Sequence, residues 1–195
     1  MSTAIGPAPA PKDRLLAAAA DLFYRRGIHA VGVDAIVAAS GVAKMTLYKH
    51  FRSKDDLVAA WLRAASQAWR SQLEASLTRA AASPAERLGC LFDVLAEWFA
   101  DPAFRGCALL NALAELPEPA HPARPIILEH RRLLLDLLTR LAWDAGVPNH
   151  QAAARSLAIL LDGAIVSAAA EGSPEPARYA AEAAKALIPS AKCSK

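Results

Sequence analysis

Alanine constrains this chain more than any other feature: 47 residues, against 13 proline, 9 glycine and 12 aromatic side chains (Trp 4, Tyr 3, Phe 5). Alanine gives up no side-chain entropy in a helix and hardly fills the space between two sheets, so the composition points to an all-α protein of closely approaching helices. The same alanine lifts the hydrophobic content to 54% and the mean hydropathy to +0.20, which raises the question of a membrane. A spanning helix needs roughly 18 or more largely uncharged apolar residues. The longest uncharged stretch is the Pro- and Ala-rich residues 1–11, so no span is expected. With 195 residues the chain can bury a real core, as one large domain or two small ones.

The net charge of +3 is unevenly placed. Between Pro11 and Arg63 nine basic residues face five acidic ones, a balance of +4, while the rest of the chain carries 13 basic and 14 acidic residues. A basic N-terminal third on a neutral body suits an anion-binding module, although a solvated helical surface gives the same count. Three cysteines, Cys90, Cys107 and Cys193, share no CxxC or CxxxC spacing, which argues against a disulfide framework or a zinc site. No cofactor or metal is expected. Residues 1–11 lack the basic and long apolar regions of a signal peptide and read as a disordered arm, so a cytoplasmic address is expected.

Helical spacing begins at Leu15 and Leu16 and stops at Gly27, predicting a first helix over about Lys12 to Arg26. Short helices follow at Asp34 to Ala39 and Lys44 to His50, broken by Ser40-Gly41. Ser53, with Asp55 and Asp56 in the next turn, caps a long fourth helix to about Arg79. Ser83-Pro84 opens a helix ending near Ala100, and others are expected at Phe104 to Leu116, Ile126 to Ala145, Asn149 to Glu171 and Pro176 to Leu187. The sum is about nine helices without internal repeat: an arm (1–11), a small head (12–57) whose fourth helix continues to about 79, a body (58–188) and a tail (189–195).

Two short helices joined by Ser40-Gly41-Val42-Ala43 have the form of a helix-turn-helix, whose second helix enters the major groove. Leu47 and Phe51, four apart, serve the core; Lys44, Met45, Thr46, Tyr48, Lys49 and His50 are left outward, a set suited to phosphates and base edges. The segment from Arg14 to Leu57, RLLAAAADLFYRRGIHAVGVDAIVAASGVAKMTLYKHFRSKDDL, closely resembles the DNA-binding domain of the tetracycline-repressor (TetR) family. The resemblance rests on Leu22-Phe23 and Gly27, Ile36, Ala39 to Val42, Thr46-Leu47-Tyr48, His50-Phe51, Ser53-Lys54 and Leu57, and covers about a quarter of the chain. It implies a homodimeric repressor in which Thr46, Tyr48, His50 and Lys54 hold or approach phosphates of double-stranded operator DNA. Two positions depart from the family pattern: Val33 stands where threonine usually precedes the second helix, and Ala43 where serine usually opens the reading helix. Asp34 is expected to take over the first cap, and Lys44, Lys49 and Arg52 to offset the second loss.

In the remaining two-thirds, Trp61, Trp69, Phe92, Leu95, Trp98, Phe99, Leu110, Leu134, Leu138 and Trp143 are core-type residues that could line a cavity between helices. His130 and Asn111 are polar residues on apolar stripes and join Cys107 as pocket candidates. Phe104-Arg105-Gly106-Cys107 with Asn111 and Glu115 also resembles a segment of one subset of TetR proteins. The effector expected is a substantially apolar, mostly neutral small molecule. Small side chains on the last two helices suit a two-fold interface, with Leu157, Leu161, Ala164, Ile165, Ala168, Tyr179, Ala183 and Leu187 as candidates. A redox regulator sensing through Cys107 or Cys90 is the alternative. An enzyme is not expected, since no P-loop, GxGxxG, HExxH or GxSxG occurs.

Overall fold

The computed structural model describes residues 9–188, which form ten α-helices and no strand. The expected arm up to residue 8, the tail 189–195 and Cys193 lie outside the described residues. The helices are α1 (Pro11–Arg26), α2 (Val33–Ser40), α3 (Lys44–His50), α4 (Lys54–Ala80), α5 (Pro84–Arg87), α6 (Leu91–Phe99), α7 (Ala108–Glu115), α8 (Arg124–Asp144), α9 (His150–Glu171) and α10 (Glu175–Ala184). The all-α expectation therefore holds, and the tenth helix comes from one predicted segment that divides. Around Gly89 the chain tightens into i to i+3 bonds, Gly89 N to Glu86 O, Cys90 N to Arg87 O and Leu91 N to Leu88 O, which separates α5 from α6. The helix expected from Phe104 starts only at Ala108, because Gly106 sits at φ +87°. Helix α1 begins inside the expected arm, with Pro11 in its first turn, where a missing N–H is harmless.

Caps follow the sequence in part. The Ser53 hydroxyl accepts from the Asp56 amide at 3.1 Å, opening α4 as expected. Ser83 stands at the N-cap of α5 without a side-chain cap bond, and Gly32, not Asp34, holds the N-cap of α2. The Asp34 carboxylate instead pairs with Lys44 at 2.6 Å. That exposed bond crosses from α2 to α3.

The head is α1 to α3 closed by the start of α4, around buried Leu15, Ala19, Phe23, Ile36, Leu47 and Leu57. The body packs α4 against α6, α7 and α8, then α8 on α9, and α10 on both α9 and α6. Leu138 is fully buried there, whereas Trp143 is 67% exposed, edge-on to His150 beyond the end of α8. Helix α9 is long and apolar enough to cross a membrane by length and composition, a test that a largely buried core helix also passes. The rule of an uncharged run missed it because Arg155 and Asp162 interrupt the helix without making it polar. One face of α9 is core, with Leu157, Ala158, Leu161, Ile165 and Ala168 all buried.

Candidate DNA interface and ligand cavity

The reading helix α3 is anchored by what it buries. Leu47 is fully buried and Phe51 nearly so, which turns the rest of the helix outward. Gly41 adopts φ +63° at the turn, a conformation open to glycine at no steric cost. The turn is held from α1, since the Arg14 guanidinium donates to the carbonyls of Ser40 (2.6 Å) and Gly41 (3.1 Å). The Ser40 hydroxyl closes it from inside, donating to Val37 O at 3.1 Å and accepting from Val42 N at 3.3 Å.

On this frame Met45 is 72% exposed, and Lys44, Tyr48, Lys49, His50 and Arg52 are exposed with it. Thr46 is half-buried. An exposed methionine on a short helix ringed by basic groups has little to gain in water, but it can lie against a thymine methyl in a groove. Three predicted contacts are engaged inside the chain: Lys44, in its pair with Asp34, Lys54 and Val33. The Lys54 ammonium donates to Ile28 O at 2.6 Å and sits 6.0 Å from the Phe23 ring centroid, so it braces the head. Val33 is half-buried and packs against the core, where a threonine hydroxyl would have offered a polar contact.

The head is bonded to the body through α1 and the loop after it. The Tyr24 hydroxyl donates to Gly106 O (2.8 Å) and accepts from Arg105 N (2.9 Å), just before α7. Its burial pushes the phenol pKa above the ordinary value. At the other end of α7, a Glu115 carboxylate oxygen accepts from Ile28 N (2.7 Å) and His29 N (3.1 Å), while the His29 ring Nε2 meets the Glu115 carbonyl at 2.7 Å. Helix α7 is thus tied to the head at both ends. Glu115 and Tyr24 pair residues more than 80 positions apart, and no local pattern announces them.

Beside α7 lies a cavity of about 1020 Å³ between α1, α4 and α6. Trp61, Trp69, Leu95, Trp98 and Cys107 line it as expected, and Leu16, Ala20 and Tyr24 of α1 form a wall that the sequence did not suggest. Trp69, Cys107 and Leu109 separate it from a second space of about 260 Å³, which takes in Leu110, His130 and Leu134. His130 bonds through Nδ1 to the Ser66 hydroxyl at 2.9 Å and stands edge-on to Trp69. Its pKa is pulled down to about 4, chiefly by burial, with repulsion from Arg70 and Arg131 adding to it. Arg131 pairs with Asp162 in the wall of the same small space. Phe92, Phe99 and Asn111 line neither space: the two rings are buried in the core, Phe99 against Trp98 and Phe104, and Asn111 donates to Arg105 O at 3.0 Å. Asn111 therefore braces the turn at Gly106.

The predicted interface residues divide by face. Leu157, Leu161, Ala164, Ile165 and Ala168 are buried within their own chain and cannot meet a partner. The exposed stripe of α9 runs instead through Ile159 (67% exposed), Gly163, Val166 (59% exposed) and Ala170. Tyr179 and Ala183 of α10 are exposed, and Leu187 is half-buried. Of the cysteines among the described residues, Cys90 and Cys107 are both buried, and Cys107 is a free thiol. Burial pushes the Cys107 pKa up, the opposite of what a reactive thiolate needs. Among the described residues no group of three His, Cys, Asp or Glu side chains converges as a metal site.

Comparison with known proteins matches this arrangement. A family model described as bacterial regulatory proteins of the tetR family matches residues 15–61. A TetR-family transcriptional regulator from Streptomyces coelicolor superposes with a TM-score of 0.83 at 36% identity, over 92% of this chain and 94% of that one. A second structure, a TetR-type regulator from Streptomyces avermitilis, gives a TM-score of 0.75 at 31% identity, over 91% and 99%. Among curated proteins, the chain is 26% identical to the transcriptional regulator BetI of Rhizobium meliloti over 87% of its own length and 83% of that protein. Its 46% identity to the transcriptional activator FasR of Mycolicibacterium smegmatis is confined to 52 residues, 27% of this chain and 24% of that protein.

Proposed function

As this chain belongs to the TetR family of bacterial transcriptional regulators, we propose that it works as a homodimeric repressor that a small molecule releases from operator DNA. The observation that carries this reading is the position of the larger cavity. Its walls include α1 of the head and the start of α7, the helix bonded to the head at both ends. A molecule filling that space presses directly on the elements that set the head's angle.

The dimer supplies the geometry on which release depends. One reading helix makes few base contacts, and two held about 34–36 Å apart reach successive grooves on one DNA face. The exposed stripe of α9 with Tyr179 and Ala183 of α10 supports a four-helix contact between copies. In this scheme Thr46, Tyr48, Lys49, His50 and Arg52 meet phosphates, with Lys44 and Met45 toward bases. An occupied cavity favours a head spacing that no longer fits the grooves, and operator affinity falls by the differential affinity of the ligand for the two states.

Binding to the DNA upstream of the chain's own gene tests the reading. Affinity is expected to fall steeply between about 0.05 M and 0.2 M salt, as phosphate contacts require. Compounds that raise the melting temperature are expected to lower that affinity. Stabilising compounds that leave operator binding unchanged would refute ligand release.

A further inference from the structure

The larger cavity is aromatic within and acidic at its edge. Trp61, Trp69 and Trp98 line it, with the Trp69 and Trp98 rings 6.0 Å apart. Four carboxylates border it, Asp13, Asp21, Glu97 and Asp101, against one guanidinium, that of Arg79. Asp21 is taken by Arg25 at 2.7 Å. Asp13, Glu97 and Asp101 have no ion-pair partner among the described residues, and Arg79 is turned to the Ser76 hydroxyl at 2.9 Å. The Asp101 carboxylate accepts from Ala103 N at 2.8 Å through one oxygen, and Asp13 and Glu97 carry no such bond among the described residues, so a neutral apolar guest would use the tryptophans and leave this negative charge unmatched. A guest with a positive centre uses both, because indole faces attract cations and like-signed charges around a cleft focus its field.

Resting on the effector reading above, we propose that this cavity takes a lipophilic organic cation, its hydrophobic body against Trp61, Trp69 and Trp98 and its positive centre toward Asp13, Glu97 and Asp101. This replaces the mostly neutral effector expected from the sequence. The volume of about 1020 Å³ accommodates several linked rings. An anion meets the wrong sign at the entrance and is excluded. The carboxylates are exposed, so the preference for positive charge is salt-sensitive, while the tryptophan contribution persists.

The test uses the full chain and three bulky aryl probes: tetraphenylphosphonium, neutral triphenylphosphine oxide and the anion tetraphenylborate, measured by calorimetry. Tetraphenylphosphonium is expected to bind about tenfold or more tightly than triphenylphosphine oxide, with tetraphenylborate weakest. Raising salt from about 0.05 M to 0.5 M narrows the gap. The double variant Glu97→Gln/Asp101→Asn, both sites exposed, is expected to keep the parent melting temperature and lose most of the preference. Equal or tighter binding of the neutral probe, no phosphonium binding, or an undiminished preference in the double variant overturns the cation site. Phosphonium binding that leaves operator affinity unchanged supports the cation site and refutes ligand release. Operator release by neutral compounds without charge preference does the reverse.

Discussion

Replacing Glu115 by alanine isolates the bond between the body and the loop after α1. Its carboxylate accepts from two backbone amides, Ile28 N at 2.7 Å and His29 N at 3.1 Å. The His29 amide is exposed, so water takes over there at little cost. The Ile28 amide is part-buried, and an amide that loses a charged acceptor forfeits about 1.5–3 kcal/mol. The His29 ring contact uses the Glu115 main-chain carbonyl and survives the substitution. The net loss is therefore about 2 kcal/mol, which for a chain of this size lowers the melting temperature by about 4–8 °C. Scanning calorimetry at matched protomer concentration measures it, because the proposed dimer would make the melting temperature concentration-dependent. Glu115→Gln retains one acceptor and is expected to fall between the variant and the parent. Gly27→Ala perturbs the same joint from the other side: φ is +84°, and a β-carbon would sit 3.1 Å from the Glu115 carboxylate. An alanine variant at 115 melting within about 1 °C of the parent would refute the claim that this contact carries load between head and body.

Other outcomes follow from the same coordinates. Tyr48→Ala and Lys49→Ala are expected to weaken operator binding without lowering the melting temperature, since both side chains are exposed; fluorescence anisotropy reads it, and Lys49→Ala should also reduce the salt slope by about one. Leu157→Ala and Ile159→Lys, on opposite faces of α9, should part cleanly. The first removes a fully buried side chain and costs about 2–5 kcal/mol in urea unfolding, whereas the second is expected to leave a folded monomer in light scattering. His130 is neutral in the folded chain down to about pH 4 and ordinary when unfolded, so its contribution is present above about pH 6.5 and is lost as pH falls toward 4. The loss approaches 3 kcal/mol at about 1.36 kcal/mol per pKa unit, and His130→Gln should flatten stability over that window.

The head was legible in the sequence because its determinants are local. Leu47 and Phe51 sit four apart, Gly41 falls at the turn and Ser53 begins a helix, so spacing alone orients α3. The body resisted for a different reason. Helix α9 is apolar on both faces, and periodicity cannot say which face its own chain covers; the sequence favoured Leu157 and Ile165, while the exposed stripe is Ile159 and Val166. The rule of an uncharged run passed over the same helix because Arg155 and Asp162 interrupt it. Asp34 had a choice between capping α2 and pairing with Lys44, and only the packing of two helices decides it. The bond of Glu115 to Ile28 and the α1 wall of the cavity arise from contacts distant in sequence, which composition and motif do not encode.

Helix α1 belongs to two structures at once. Leu15, Ala19 and Phe23 hold the head together, and Leu16, Ala20 and Tyr24, the next residue along in each case, face the cavity together with Ala17. Occupancy therefore has about one helix diameter, some 10 Å, to cross before it meets the DNA-reading unit. Such a short lever leaves little room for independent evolution. A substitution that widens the range of accepted molecules at Ala17 or Ala20 tilts the helix on which Arg14 holds the turn, so a change in chemical taste arrives together with a change in DNA grip.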